Sequence, residues 1–259
     1  MPSPHQPSPS DRPAIETRAL TKRFGDHVAV DGLDLTVEAG TVYGFLGPNG
    51  AGKTTTMRLL TSLTRPTGGD ATVAGVPVTD RDALRPRIGY LPEAPPLYDQ
   101  ATAVEQLTYV AGLRDLPDPA ARIESGLAVL DLDADPAKRL GAFSKGMRQK
   151  VAFLQAVLHE PEVLFLDEPT AGLDPRAART IRETISRLAD DGTTVFLSTH
   201  VLSVVEAVAD VVGILADGRL VAEDTPSALT RRAASGETRT LEDAFLELTT
   251  EPSAEAADG

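Results

Sequence analysis

The chain has 259 residues, 41% of them hydrophobic, enough to bury a substantial core as one domain with a smaller lobe. Its formal net charge is −13 and only 4% of its residues are aromatic, so nucleic acid would bind against the field and find few stacking platforms. There is no Cys, which excludes disulfides and thiolate metal sites and fits the cytosol, and no apolar run approaches the roughly 20 residues that span a bilayer.

Residues 1–13, rich in Pro and Ser, are expected to form a disordered tail that is neither a signal peptide nor an anchor. Strands are expected at Ile15 to Leu20, Leu33 to Val37, Val42 to Leu46 and Ala71 to Val78, with a short one at Ile88 to Leu91. A helical pattern with Leu59, Leu60 and Leu63 on one side follows the third strand. Thr102-Ala103-Val104-Glu105 is a capping-box signature, after which Val104, Leu107 and Ala111 recur at helical spacing. Asp118-Pro119 begins another helix, through Leu127 and Leu130. Strand character returns at Val163 to Leu166 and Thr194 to Leu197. The apolar stretch Val201 to Ala216 is broken by Glu206 and Asp210, and Asp217-Gly218 reads as a tight hairpin turn between Val212 to Leu215 and Leu220 to Glu223. Residues 226–259 read as a small accessory tail with an amphipathic stretch, Leu241 to Leu248, and a disordered end. Strands alternating with helices, interrupted by a helical insertion and without internal repeat, are the expected layout of one α/β core with a helical lobe.

Gly47-Pro48-Asn49-Gly50-Ala51-Gly52-Lys53-Thr54 fits G-x-x-x-x-G-K-[ST] between an expected strand and an expected helix. Glycines let the main chain curl so that N–H donors converge on phosphate oxygens, and the helix N-terminus adds partial positive charge. In such a loop Lys53 would bridge the β- and γ-phosphates, Thr54 would ligate Mg²⁺, and Thr55 can add a hydroxyl near the α-phosphate. Downstream, Val163-Leu164-Phe165-Leu166 ends in two acids, Asp167 to hold Mg²⁺ and Glu168 to polarise an attacking water. Phe143-Ser144-Lys145-Gly146-Met147 precedes a helix with Val151, Leu154 and Leu158 on one face. Ser144 reads equally as an ordinary N-cap and as part of a γ-phosphate receptor.

This ordered set, completed by Glu93 and His200, resembles the ATP-binding cassette (ABC) ATPases over roughly Ile15 to Glu223. The resemblance implies a P-loop, RecA-like α/β core with an antiparallel β subdomain and a helical subdomain at about 94–158, inside a cassette at 14–225. It implies ATP and Mg²⁺ as cofactors, Glu168, His200 and Lys53 as catalytic, and Thr54, Glu93 and Asp167 at the metal. Ser144 and Gly146 stand at the signature motif that completes a second subunit's site, although Phe143, Lys145 and Met147 depart from Leu-Ser-Gly-Gly-Gln. Glu93 takes the place of the Q-loop glutamine, and a carboxylate there can ligate Mg²⁺ but cannot donate when ionised. His200 is placed like the switch histidine, and Asp174, which also reads as an N-cap before Pro175, lies in a segment that resembles the D-loop. Phe24 is placed like the aromatic that stacks on adenine, with a strand-end hydrophobe as the competing reading. The implied partners are a transmembrane permease subunit and a second ATP-binding subunit, as a homodimer, on the inner face of the cell membrane. Leu91-Pro92-Glu93, Ser144 to Gln149 and Leu241 to Leu248 are similar to exporter-type ATPases. A non-transport ABC ATPase acting on ribosomes or chromosomes is the alternative, but the usual second cassette or long coiled coil is missing. A P-loop GTPase would carry Asn-Lys-x-Asp, which is also missing.

Overall fold

In the computed structural model, which describes residues 12–132, 137–232 and 240–250, the chain begins with a long hairpin of β1 (Ile15–Phe24) and β2 (His27–Val37). The fully buried β3 (Val42–Leu46) leaves this layer and leads into α1 (Lys53–Leu60). The chain then returns as β4 (Gly68–Val73) and β5 (Val76–Pro77), completing a four-stranded antiparallel sheet in the order β2-β1-β4-β5. The single strand expected over Ala71 to Val78 is therefore a hairpin. Ala74 and Gly75 turn at φ of 50° and 72°, and Val73 pairs with Val76. Leu63 also departs from expectation, because α1 stops at Leu60 and the chain leaves through Ser62 at φ 59°. The Leu63 N–H closes back on the Arg58 carbonyl, and the side chain is 52% exposed.

After α2 (Arg81–Leu84) and β6 (Ile88–Leu91) come three helices: α3 (Ala103–Leu113), α4 (Pro119–Val129) and α5 (Lys145–Val157). The capping box forms as expected, with the Thr102 N–H donating to Glu105 at 2.8 Å and the Glu105 N–H to Thr102 at 3.2 Å. Ala103, Leu107 and Ala111 are buried, while Val104, expected on that face, points outward. The chain re-enters the sheet as β7 (Val163–Asp167), followed by α6 (Pro175–Asp190), β8 (Thr194–Thr199), α7 (Leu202–Val208), β9 (Val211–Ala216) and β10 (Arg219–Asp224). The second sheet runs β10-β9-β3-β8-β7-β6 and is parallel except for β10. Val201 to Ala216 thus divides between α7 and β9, and no helix among the described residues is long and apolar enough to cross a membrane.

The core fills both faces of the parallel sheet. Toward the antiparallel sheet, Tyr43, Phe45, Phe165 and Phe196 cluster, with Tyr43 and Phe196 stacked nearly parallel at 5.4 Å between centroids. The opposite face is covered by α3 to α7, with Leu107, Phe153, Leu154 and Ile181 buried. Beyond β10, α8 (Pro226–Arg232) and α9 (Leu241–Thr250) bury Leu229 and Leu241 in a cluster with Val205 and Val212. The disorder expected for the two ends concerns residues that, apart from Arg12 and Pro13, lie outside the described ones.

His159, just after α5, fastens that helix to the edge of the sheet by donating from Nε2 to the Ile88 carbonyl at 2.8 Å. Its Nδ1 is buried without a hydrogen-bond partner, and burial together with the nearby Arg114 lowers its pKa from 6.5 to about 4. The unfolded chain therefore takes up a proton here near pH 6.5 while the folded chain does not. This stabilisation is complete above that pH and is lost as pH falls to about 4. His159→Gln should flatten the loss of urea stability between these limits by about 1–2 kcal/mol relative to the parent, after allowance for the partly exposed ring. Parallel pH profiles for the two proteins would refute it.

Candidate functional site

β3 ends at Leu46, and residues 47–52 curl into α1. Gly50 and Gly52 have φ of 86° and 106°, and a Cβ on Gly52 would stand 2.3 Å from the Ala29 carbonyl oxygen. Lys53, at the head of α1, is only 7% exposed. Its ammonium donates to the carbonyls of Gly47 at 2.7 Å and Pro48 at 3.1 Å. Burial lowers its pKa, while the charges of Glu168, Asp167 and Glu93 act in the opposite direction. The tip of the β9–β10 hairpin holds the loop from outside, with the Gly218 N–H on the Ala51 carbonyl at 3.0 Å.

β7 and β8 run in parallel with Asp167 opposite Ser198. Ser198 donates a short hydrogen bond to Asp167 Oδ1, and Thr54 donates to Oδ2 at 3.0 Å. Glu168 turns off the strand at φ 51° and stays buried. Its Oε2 accepts from the Thr199 hydroxyl at 2.9 Å. Its Oε1 accepts from the His200 N–H at 2.9 Å and from His200 Nδ1 at 2.7 Å. An ionised carboxylate only accepts, so Nδ1 carries the proton in this contact.

A cavity of about 440 Å³ opens here, lined by Lys53, Thr54, Glu93, Asp167, Glu168 and His200 together with Asn49, Gly50, Gly52 and Thr55. Asn49, Gly50, Gly52, Lys53, Thr54 and Thr55 of the loop therefore meet Glu93, Asp167, Glu168 and His200 in one cleft. His27 and Ala29 of β2 line it too, and nothing in their sequence context marks them. Another cavity, about 340 Å³ between α4, α5 and α6, is lined by aliphatic residues such as Leu154 and Leu188 and by charged ones such as Arg122 and Arg187, and contains none of the candidate side chains.

Gly47, Pro48 and Ala51 of the loop, and Phe24, Ser144 and Gly146 outside it, are not part of the lining of the cleft around Lys53. Phe24 is 54% exposed at the end of β1 with the Lys22 ammonium 5.0 Å above its ring, so it is not a core hydrophobe. Ser144 caps α5 by accepting the Met147 N–H at 3.3 Å. Gly146 lies against the start of α6, where an added Cβ would come within 3.0 Å of the Ala177 methyl. Asp174 caps α6 through the Ala177 N–H at 2.9 Å. Gln149, buried on α5, donates to the Pro169 carbonyl at 3.1 Å and ties this helix to the segment after Glu168. A polar residue on the apolar face of α5 was the available sequence signal for that tie.

The sequence profile of ABC transporters matches residues 30–171. The chain belongs to the ABC transporter family. A bacitracin transport ATP-binding protein of Enterococcus faecalis is 40% identical over 220 residues, covering 84% of this chain and 71% of that protein. A Nod factor export ATP-binding protein of Burkholderia lata is 37% identical over 218 residues, covering 83% and 72%. The dimeric structure of MJ0796, a bacterial ABC transporter cassette, superposes with a TM-score of 0.73 at 25% identity, covering 82% of this chain and 98% of that one. The two-sheet architecture is thus the ABC ATPase cassette fold, and the chain is an ATP-binding ABC ATPase that powers a transporter.

Glu93 lines the cleft and its charge reaches Lys53. Glu93→Gln removes one negative charge, so ATPase activity of the cassette should persist with a displaced free-Mg²⁺ requirement. Superimposable activity–Mg²⁺ curves would separate Glu93 from the metal. Phe24→Ala should weaken ATP binding by about 1–3 kcal/mol, the scale of aromatic–base stacking, with a comparable loss for GTP. Unchanged affinities on titration would remove Phe24 from the base site.

Proposed function

We propose that this ABC ATPase drives an exporter, working as a pair of identical cassettes that sandwich two ATP molecules and pull on a separate permease. The observation that carries the reading is the division of the candidate residues. Lys53, Thr54, Asp167, Glu168 and His200 share one cleft, while Ser144 and Gly146, at the head of α5, are absent from its lining. A second copy arranged head to tail would bring its own Ser144 and Gly146 to the open side of that cleft. The dimeric structure of a similar cassette and the export function in the name of one relative support pairing and direction. The permease would hold the pair on the inner face of the cell membrane. The cassette would run over 14–225, with α3 to α5 as its helical part at about 94–158, and the tail over 226–259.

The residues fit magnesium. The Thr54 hydroxyl and Asp167 carboxylate are hard oxygen donors 3.0 Å apart, and Mg²⁺ is commonly held by one or two carboxylates plus substrate phosphates. Thr54 and Asp167 would hold the ion, with Glu93 at its margin. Bound there, the ion neutralises phosphate charge. Lys53 would exchange the Gly47 and Pro48 carbonyls for β- and γ-phosphate oxygens, while loop N–H groups and the head of α1 take the remainder. Glu168 would accept a proton from the water that attacks the γ-phosphorus. His200 would turn its ring to the γ-phosphate, and Lys53 would stabilise the charge left on ADP.

Glu168→Gln keeps size and removes the base, so hydrolysis should fall by about two to four orders of magnitude while ATP binding survives. The sandwich should then accumulate as an ATP-dependent dimer in light scattering. Adding Ser144→Arg should return it to monomer with ATP still bound. A dimer that forms without ATP, or that ignores Ser144→Arg, would contradict the sandwich, and hydrolysis at the parent rate would remove Glu168 from the chemistry.

A further inference from the structure

We propose that Thr199 is the positioning residue for Glu168, holding one carboxylate oxygen in place while the His200 ring releases its contact with the other. The inference rests on Glu168 being the base. The two oxygens of Glu168 are held in unlike ways. Oε2 meets the hydroxyl of Thr199, which is fully buried at the end of β8. That hydroxyl accepts the Val201 N–H at 3.0 Å, so its single proton is left to point at Oε2. A buried hydroxyl that accepts from the main chain and donates to a carboxylate has little freedom to rotate. Oε1 instead meets the imidazole of His200, whose side chain is 52% exposed at the cleft.

Removing that ring uncovers a lone pair on Oε1 toward the cavity. Glu168 stays anchored by three groups: Thr199 on Oε2, the His200 N–H on Oε1, and its own N–H on the Ser198 carbonyl at 2.9 Å. Oε1 is then the oxygen that takes the proton of the water. The water oxygen forms its bond to the γ-phosphorus, the bond to the β–γ bridging oxygen breaks, and its electron pair leaves with ADP. Ser198, one residue earlier, faces Asp167 instead. Successive residues of one strand end thus serve the two acids separately.

The test uses the full chain and compares Thr199→Val, Thr199→Ser, Glu168→Gln and the Thr199→Val/Glu168→Gln pair. Three quantities are read: kcat and KM for phosphate release, the ATP dissociation constant from equilibrium titration, and the thermal midpoint. Thr199→Val should lower kcat about ten- to a hundredfold, the range for a lost hydrogen bond to a charged group. ATP affinity should stay within about threefold, and Thr199→Ser should keep kcat within about threefold of the parent. In the Glu168→Gln background Thr199→Val should change the residual rate by less than about threefold, because the group it positions is gone. An unchanged kcat in Thr199→Val overturns the proposal. So does a Ser variant as slow as the Val variant, a parallel loss of ATP affinity, or an effect of Thr199→Val that is undiminished in the Glu168→Gln background. If Thr199→Val lowers the thermal midpoint enough to unfold, Thr199→Ala carries the same expectations. Parent-rate hydrolysis by Glu168→Gln alone sinks the underlying reading of Glu168, and is distinguishable from failure of the Thr199 arms.

Discussion

A buried ammonium is costly unless its donors are satisfied, and Lys53 satisfies them on the carbonyls of Gly47 and Pro48 while Asp167, Glu168 and Glu93 act on it electrostatically. Carbonyls carry no net charge, so a polyphosphate can displace them and bring a stronger, charge-assisted contact. The carboxylates must meanwhile stay within electrostatic reach of the lysine without closing on it. The sheet order meets this requirement. β8 lies between β3, which delivers the loop, and β7, which delivers the acids. Its last residues and the one that follows, Ser198 to His200, stand where donors are needed, and they keep Asp167 and Glu168 occupied.

Much of this was legible in the sequence because it depends on residue types with few substitutes. Gly50 and Gly52 mark left-handed backbone, Lys53 and Thr54 follow at fixed spacing, and the acids follow four buried apolar residues. The Asp217-Gly218 turn was readable for the same reason, with φ of 48° and 78°. The misread elements depended on context instead. Ala71 to Val78 has the composition of one strand, and only Gly75 hinted at the hairpin within it. Val104 and Leu63 are apolar but exposed, because the phase and end of a helix are decided by what packs on it. Ser198, Thr199 and His27 are ordinary strand residues until the register of β7 on β8 and the path of β2 give them partners.

Besides the apolar core, specific contacts join α5 to the segment after Glu168 and to the start of α6. Gln149 reaches the Pro169 carbonyl, one residue beyond Glu168, and Gly146 lies against Ala177 near the capped start of α6. The His159 bond to Ile88 fastens the other end of the same helix to the sheet. α5 is thus tied at one end to the outermost strand of the sheet and at the other to the neighbourhood of the acids.

Surface hairpins ordinarily tolerate changes of length, since their tips contact only water. The tip at Asp217-Gly218 does not have that freedom. The Gly218 N–H is spent on the Ala51 carbonyl, the Gly218 carbonyl accepts the Asp31 N–H at 2.9 Å, and Arg219 pairs with Asp31 at 2.7 Å. One short turn therefore clasps both the phosphate loop and the antiparallel sheet, and it sets the distance between them. An epitope, a reporter domain or a chain break placed at this outwardly convenient position would alter the shape of the cleft around Lys53 from behind.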